Sequence, residues 1–450
     1  MSKVDNPRSD APATVGDPGR LRDLAAAISR RELSPVELVS RSLHRIAAVD
    51  GAVQCWREVD GARALAVAEE RAAEASKGML RGPLHGIPVA IKDIIDVEGM
   101  TTLCNSRSRA GSPPARGDAE IVLALKRQGA IVLGKVHTTE YAFFDPSPAR
   151  NPWNLEHTPG GSSSGSAAAV AAGMVPLALG TQTVASVNRP AAYCGISAFK
   201  PSTRSISMWG IAPLAPSYDT IGFMAQTVDD AVYAYEAAMP PFATLAPADR
   251  DADKIDTRPL TVLLPEDGHL GDCSGEIATA VTRAADRIAA AGHVVRRVAS
   301  PIPFERLFRL QRMTSLYDAA RALAFLDDKP PETVGAKLRE AIAEGRATSE
   351  REYLDARAEI DGLRATFWAA ASATDLSLWP AAPQTAPKGL AWTGDPKYIS
   401  PWTALAGPIV SLPLGRASDG LPIGALVSSA PGTDRRMCTM ARRIAHDLGI

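Results

Sequence analysis

The sequence predicts an α/β fold. Two strand–helix–strand passages carry that prediction, one in each half of the chain, with Gly and Pro punctuating β-branched runs. In the first, Leu84–Val97 (LHGIPVAIKDIIDV) reads as a buried strand interrupted by a single Lys, Glu120–Gln128 as a helix and Ala130–Gly134 as a short strand. In the second, LTVLLP from Leu260 is followed by a helix over Ser274–Ala291 and by HVVRRV. Strands joined through a helix run parallel, so both passages predict parallel pairing.

The remaining elements follow from periodicity and caps. Residues 1–18, rich in Pro, Asp and Ser, are expected to be a flexible tail, leaving 19–450 as one domain. Leu21, Leu24, Ala25 and Ile28 fall on one helical face. Ser34-Pro35 opens a second helix, with Glu37 placed three after the cap, and Ala62–Ser76 forms a third. AAAVAAGMV after residue 166 is a short helix of small residues, and Leu177–Gly180 with the run to Arg189 reads as strand and loop. Residues 303–370 are mostly helical and charged, 376–431 return to strands with Pro and Gly turns, and Asp434–Leu448 is a last helix with Arg on one side. The stretch at 240–254 is the one linker-like segment.

Composition removes several function classes. The chain has 450 residues, 46% hydrophobic and 22% charged, and 49 basic against 50 acidic residues give a net charge of −1. That balance calls for neither nucleic acid nor an anionic membrane, and the pairs Arg435-Arg436 and Arg442-Arg443 read as a solvated helix face. Cys55, Cys104, Cys194, Cys273 and Cys438 are odd in number and form no C-x-x-C pair, so free thiols and a cytoplasmic location are expected. The N-terminus has no apolar signal-like run, and no stretch is long and apolar enough to span a membrane.

Three segments could carry chemistry. Lys92 lies among apolar residues, where burial lowers an amine's pKa and frees a neutral base; snorkelling, or pairing with Asp93 or Asp96, is the alternative. Gly160-Gly161-Ser162-Ser163-Ser164-Gly165-Ser166 offers hydroxyls and glycine backbone, though taken alone a flexible loop or helix cap is the favoured reading. The run Gly180–Pro190 (GTQTVASVNRP) presents Ser186 in a tight turn, where acyl transfer would find a nucleophile beside backbone N–H donors.

Taken jointly, these segments resemble the amidase signature family. HGIPVAIKD resembles its lysine segment, GGSSSGSAAAVAAG its Gly/Ser-rich signature, GTQTVASVNRPAAYCG its nucleophile segment, and SYDTIGFMAQTVDDA (217–231) the segment that follows. The likeness is clearest over about 58–235, with looser echoes around 376–428. The resemblance implies an α/β/α sandwich around a large mixed sheet covered by helices, with 303–370 as substrate cover. It implies Lys92 as general base, Ser162 as bridging serine after a cis Gly161–Ser162 peptide, and Ser186, 24 positions further on, as nucleophile. It further implies an oxyanion hole from the N–H groups of Thr183, Val184, Ala185 and Ser186, with Ser163 supporting Lys92 by a hydrogen bond. No metal or organic cofactor is implied. His85 and His157, at the edges of these segments, read as structural.

This sequence departs from the family pattern at Val184 and Ala185, where two glycines are common, at Gln182, where Asp is common, and at Ser164. Val184 and Ala185 crowd the acyl pocket and favour compact or planar acyl groups. Arg189 grips an acidic substrate or serves the fold. Trp209, Tyr218 and Trp392 are expected to help choose the substrate, so that truncating them changes preference more than stability. The expected activity is cleavage of an amide, anilide or carbamate (urethane) C–N bond, or of an ester, in a small-molecule substrate. The alternatives are the amidase component of a glutamine-dependent amidotransferase and a non-enzymatic binding module on the same fold, and a homodimer stays open. Gly161-x-Ser163-x-Gly165 fits a hydrolase nucleophile elbow but lacks the preceding strand, and Ser197-x-x-Lys200 fits an S-x-x-K pair without its companion motifs.

Overall fold

The helix signals are realised by side-chain caps. The Ser34 hydroxyl accepts from the Val36 amide at 3.2 Å, with Pro35 in the first turn. Glu37 completes no capping box there; it pairs with Arg41 one turn on, at 2.5 Å. Ser349 does form a full capping box with Glu352. A computed structural model describes residues 11–239 and 258–450. The linker read at 240–254 and the first ten residues of the expected tail lie outside the described residues. Residues 11–18 of that segment are tied to the body: Arg45 bonds the carbonyls of Ala13 and Val15 at 2.9 and 3.0 Å, and the Gly16 amide donates to Ala171 O at 3.1 Å.

In chain order the helices are α1 (Leu21–Ser29), α2 (Pro35–Val53), α3 (Gly61–Ser76), α4 (Glu120–Arg127), α5 (Ser164–Ala171), α6 (Asn188–Cys194) and α7 (Val228–Ala238). After the undescribed segment come α8 (Gly275–Ala290), α9 (Phe304–Ala322), α10 (Ala336–Ala347), α11 (Glu350–Ala370), α12 (Ser400–Ala404) and α13 (Asp434–Leu448). The strands are β1 (Trp56–Val59), β2 (Pro88–Lys92), β3 (Ile131–Val136), β4 (Leu177–Gln182), β5 (Ser197–Lys200), β6 (Thr220–Ala225), β7 (Thr261–Glu266), β8 (Val294–Ala299), β9 (Leu376–Pro380), β10 (Ile409–Arg416) and β11 (Pro422–Ser428).

Among the described residues these strands build one 11-stranded sheet in the order β1-β3-β2-β4-β6-β5-β10-β11-β9-β7-β8. The two strand–helix–strand passages pair in parallel, β2 with β3 and β7 with β8, and β2 with β4 and β7 with β9 are also parallel. The centre is antiparallel, from β4 through β6, β5, β10 and β11 to β9. The sheet is therefore mixed and covered by helices.

Two local readings change. The run Leu84–Val97 contributes strand only at Pro88–Lys92. The amides of Ile94 and Ile95 turn back to the Lys92 carbonyl at 2.8 and 3.0 Å, which stops the strand at the lysine. The loop read up to Arg189 ends at Val187, and helix α6 begins at Asn188. Its start is capped by the Gln182 side chain, whose Oε1 accepts from the Val187 and Asn188 amides at 2.9 and 3.0 Å. The C-terminal arginines are paired rather than merely solvated: Arg436 meets Asp375 at 2.6 Å, and Arg442 meets Asp229 and Glu236 at 2.6 and 2.7 Å.

The small residues of α5 let it press between β2, β4 and the chain around His137. A Cβ on Gly165 would lie 2.5 Å from Cys55 O and 2.6 Å from His137 N, both backbone atoms that cannot swing away. Gly165→Ala is accordingly expected to lose about 1–3 kcal/mol of stability through overpacking. Urea unfolding measures this, and an unchanged midpoint would show that α5 shifts freely.

Candidate active site

Lys92 ends β2, and the neighbouring parallel strand β4 ends at Gln182, with Ile91 opposite Leu179. Both chains thus deliver their last residues to the same end of the sheet, where ligand sites in α/β sheets collect. The Lys92 side chain is fully buried. Its Nζ lies 2.8 Å from Ser162 Oγ, 2.7 Å from Thr181 Oγ1 and 3.4 Å from Thr181 O. Neither snorkelling nor an ion pair with Asp93 or Asp96 occurs; Asp93 is engaged by Lys135 at 3.1 Å and Arg57 at 3.2 Å. Burial holds the Lys92 amine well below the ordinary lysine range, with Asp219 the largest opposing influence.

The Gly/Ser segment enters α5 through a cis peptide bond at Gly161–Ser162. Only glycine fits position 161, since a Cβ there would sit 2.8 Å from Thr393 Cγ2 and 3.1 Å from Thr139 Cγ2. The turn is held from several sides. Ser162 O accepts from the Thr139 amide at 3.1 Å, the Ser163 amide donates to Ser186 O at 3.2 Å, and Ser164 Oγ donates to Gly160 O at 2.8 Å. The Ser162–Ser163 unit is thereby docked directly on the backbone of Ser186.

Ser163 does not hydrogen-bond Lys92, contrary to the expectation from the family. Its hydroxyl donates to Thr181 O and accepts from the Thr181 amide, both at 3.2 Å. Gly180 makes this approach possible, because a Cβ there would lie 2.7 Å from Ser163 Oγ. Ser163 holds Thr181, and Thr181 holds the amine.

The segment from Thr183 to Ser186 bridges β4 and α6. Among the described residues, the amides of Val184, Ala185 and Ser186 donate to no protein acceptor, and the Ser186 hydroxyl makes no hydrogen bond. Consecutive unpaired N–H groups beside a hydroxyl are the local chemistry of an anion-stabilising turn. The turn is braced by groups distant in sequence. Gln311 on α9 donates to Thr183 O at 3.0 Å and is itself bound by Ser400 at 2.7 Å. Thr403 on α12 donates to Val184 O at 2.6 Å and accepts from Gln182 Nε2 at 3.0 Å. Asp219, just before β6, accepts from Thr183 Oγ1 at 2.6 Å. Gln182 is thus a scaffold, capping α6 with one end and gripping α12 with the other.

Arg189, set against a substrate role or a fold role, serves the fold. It is 3% exposed and donates to Gly161 O at 2.8 Å, Thr393 Oγ1 at 3.0 Å and Gly394 O at 2.5 Å. Burial lowers its pKa to about 10, so it stays charged at neutral pH, with its fork spent on protein oxygens. Tyr218 is also corrected: it is 1% exposed and bonds Thr314 at 2.6 Å, so truncating it would open the core rather than merely alter a pocket. Trp209 stands 79% exposed on the loop whose carbonyl caps α4, and nothing brings it to the cluster. Trp392, 45% exposed, adjoins Thr393 and hence the Gly161 turn. His85 and His157 bond the backbone carbonyls of Arg71 and Ala386 at 2.9 and 2.7 Å. His137, not singled out in the sequence, adjoins α5 and is kept neutral at a pKa of about 4 by burial and by Arg57. Ser197 and Lys200 do not pair; Lys200 Nζ donates to Pro201 O at 2.6 Å.

Thr181, Asp219, Gln311 and Thr403 were not legible as site residues. Asp219 had a signal, a lone carboxylate ahead of the buried strand TIGFMA. Gln311 and Thr403 had none, because the Thr183 and Val184 carbonyls they hold lie more than a hundred residues away.

The Amidase family model matches residues 37–438. A glutamyl-tRNA(Gln) amidotransferase subunit from Anaeromyxobacter sp. (strain K) is 31% identical, over 95% of this chain and 96% of its own. Among solved structures, a chain of the vestigial protein complex tied to the evolutionary origins of an s-triazine catabolic enzyme is similar with a TM-score of 0.87 at 26% identity, covering 96% of this chain and 99% of that one. Peptide amidase from Stenotrophomonas maltophilia has a TM-score of 0.79 at 28% identity, covering 95% and 96%. With Lys92, the Ser162 turn and Ser186 assembled at one end of a shared fold, the chain belongs to the amidase family and is a hydrolase of amide-type C–N bonds.

Proposed function

We propose that Ser186 is the nucleophile, Ser162 the proton relay and Lys92 the general base of this hydrolase. The observation that carries the reading is the set of partners around Lys92 Nζ. A neutral amine has two N–H groups and one lone pair. Thr181 O and Oγ1 take the two N–H groups, and the lone pair is left for the Ser162 hydroxyl at 2.8 Å. The same three oxygens can accept from the ammonium, so the site accommodates both protonation states.

In the reaction Ser186 Oγ attacks the carbonyl carbon as its proton passes to Ser162 and that of Ser162 passes to Lys92. The developing oxyanion is met by amides of the Thr183–Ser186 turn. Lys92 returns a proton through Ser162 to the leaving nitrogen, the C–N bond breaks, and water discharges the acyl-enzyme by the same route. The half-buried Val184 side chain beside Ser186 supports small or planar acyl groups, while Ala185 is buried in the core. A carbamate or urethane is the finer substrate reading, because its carbonyl suits the same relay and its leaving amine needs the same proton.

Similarity to part of an amidotransferase supports a second reading, in which glutamine is the substrate and partner subunits are required. Arg189 being consumed by the fold weighs against its use on a substrate carboxylate, and activity of the purified chain alone separates the two. The intact Lys92, Ser162 and Ser186 weigh against a purely binding role. All five cysteines are free thiols, which supports a cytoplasmic setting, and no helix among the described residues is long and apolar enough to cross a membrane.

A panel of chromogenic anilides, carbamates and esters tests the assignment. Ser186→Ala and Lys92→Ala should each stay folded and lose at least about 1,000-fold in kcat. An active Ser186→Ala would move the nucleophile to Ser163. The neutral amine is the active form, so kcat/KM should fall as pH drops through the Lys92 pKa. That acid limb should lie well below 10.5, in keeping with the buried amine. A limb at the ordinary lysine value would reject Lys92 as the base. Val184→Gly should raise the benzoyl-to-acetyl preference about tenfold by opening the acyl side, and an unchanged ratio would place the acyl pocket elsewhere.

A further inference from the structure

We propose that Asp219 is an electrostatic positioning residue, a buried carboxylate that stabilises the ammonium formed on Lys92 during acyl transfer while it tethers the oxyanion turn through Thr183. The proposal rests on the reading of Lys92 as the base.

The geometry begins with what Lys92 lacks. Its three partners are all neutral oxygens, so the cation that forms on it has no carboxylate in direct contact. Thr181, which bonds the amine, is two residues from Thr183, whose hydroxyl donates to Asp219 Oδ1 at 2.6 Å. Antiparallel pairing of Gln182 with Thr220 brings Asp219 to the same end of β4. Asp219 is 6% exposed.

Backbone amides donate to both oxygens of this carboxylate: Leu214 N to Oδ2 at 2.9 Å, and Ala215 N to Oδ2 and Oδ1 at 3.0 and 3.2 Å. Burial, the largest influence, leaves the Asp219 pKa raised, while the Thr183 hydroxyl and the two backbone amides oppose it by favouring the ionised form. The other charged groups nearby are directed elsewhere. Asp93 beside Lys92 is bound by Lys135 and Arg57, and Asp318 on α9 accepts from the Ser217 amide. Arg357 on α11 lies over the Tyr218 ring. The buried Cys104 thiol, also close to Lys92, is pushed up to about 12 and stays neutral.

Before reaction no hydrogen bond or ion pair joins Lys92 to Asp219; the two are linked through the Thr181–Thr183 segment. When the Ser186 proton arrives through Ser162, Lys92 and Asp219 become a buried charge pair, and no proton leaves Asp219. The attraction is therefore stronger in the transition state than in the ground state, the condition for raising kcat rather than binding. It also raises the Lys92 pKa relative to a site without the anion.

The test is the pH dependence of Ser186 sulfonylation by phenylmethanesulfonyl fluoride, which needs no knowledge of the substrate. It compares the full chain with Asp219→Asn and Thr183→Val, folding being checked by circular dichroism. Asp219→Asn should shift the acid midpoint down by about one pH unit and lower the plateau rate at least about tenfold. Thr183→Val cuts the tether and keeps the charge, so its midpoint should stay within about 0.3 unit of wild type, which is below the effect of removing a nearby charge. Should Asp219→Asn fail to fold, Asp219→Ser is read in the same way. An unmoved midpoint in the folded neutral variant, or an equal shift in Thr183→Val, overturns the proposal. Lys92→Ala tells that failure apart from a failure of the underlying reading: if it is still sulfonylated with the wild-type pH profile, Lys92 is not the base at all.

Discussion

The site is organised by the burial of one amine against neutral oxygens. Placing a lysine fully buried at the end of β2 strips it of water, and an ammonium there would meet a large desolvation penalty. Direct contact with a carboxylate would have offset that penalty and kept the amine charged. Here the contacts are Ser162 and Thr181, and the nearby Asp93 is bound by Lys135 and Arg57. Burial thereby lowers the amine's pKa, and the surrounding arrangement gives it no carboxylate partner.

Much of the neighbourhood consists of backbone held in place by distant side chains. Arg189 clamps the carbonyl of Gly161 to the 393–394 loop. Gln182 joins the end of β4 to the start of α6 and to α12, while Gln311 and Thr403 hold the carbonyls of Thr183 and Val184 from the other side. Fixing those carbonyls fixes the peptide planes, and so aims the intervening N–H groups that stay unpaired. Preorganised donors of this kind act without rearranging when charge develops. The helices α9 and α12 therefore brace the turn at Ser186 even though neither carries Lys92, Ser162 or Ser186.

The paired glycines and small residues have a matching purpose. Gly161 admits Thr393 and Thr139, Gly180 admits Ser163, and Gly165 admits the His137 backbone, each at a distance that a Cβ would close. Lys92 reaches the Ser162 hydroxyl and the Ser163 amide reaches the Ser186 carbonyl, and close backbone packing is what brings these three segments together. Val184 and Ala185 break this habit. They add side chains beside Ser186, and these pack into the hydrophobic cluster that includes Tyr218 and Trp379.

By itself the sequence determined the α/β class, the two parallel units, the last helix over Asp434–Leu448 and the segments bearing Lys92, Ser162 and Ser186. These are local matters of periodicity, caps and short motifs, and each leaves its mark within a few neighbouring residues. Tertiary structure alone decided the rest. The strand at Leu84 shortened to end at Lys92 because the following amides turn back on its carbonyl, and the loop read to Arg189 gives way to α6 at Asn188 because the Gln182 side chain caps it. Arg189 and Tyr218 left the list of substrate contacts because both are buried with protein partners, and Ser163 acts on Thr181 rather than on Lys92. Asp219, Gln311 and Thr403 entered the site because the sheet order and the packing of α9 and α12 bring them there. A hydrogen bond spanning more than a hundred residues has no signature in local pattern, since its partners meet only after the sheet has formed.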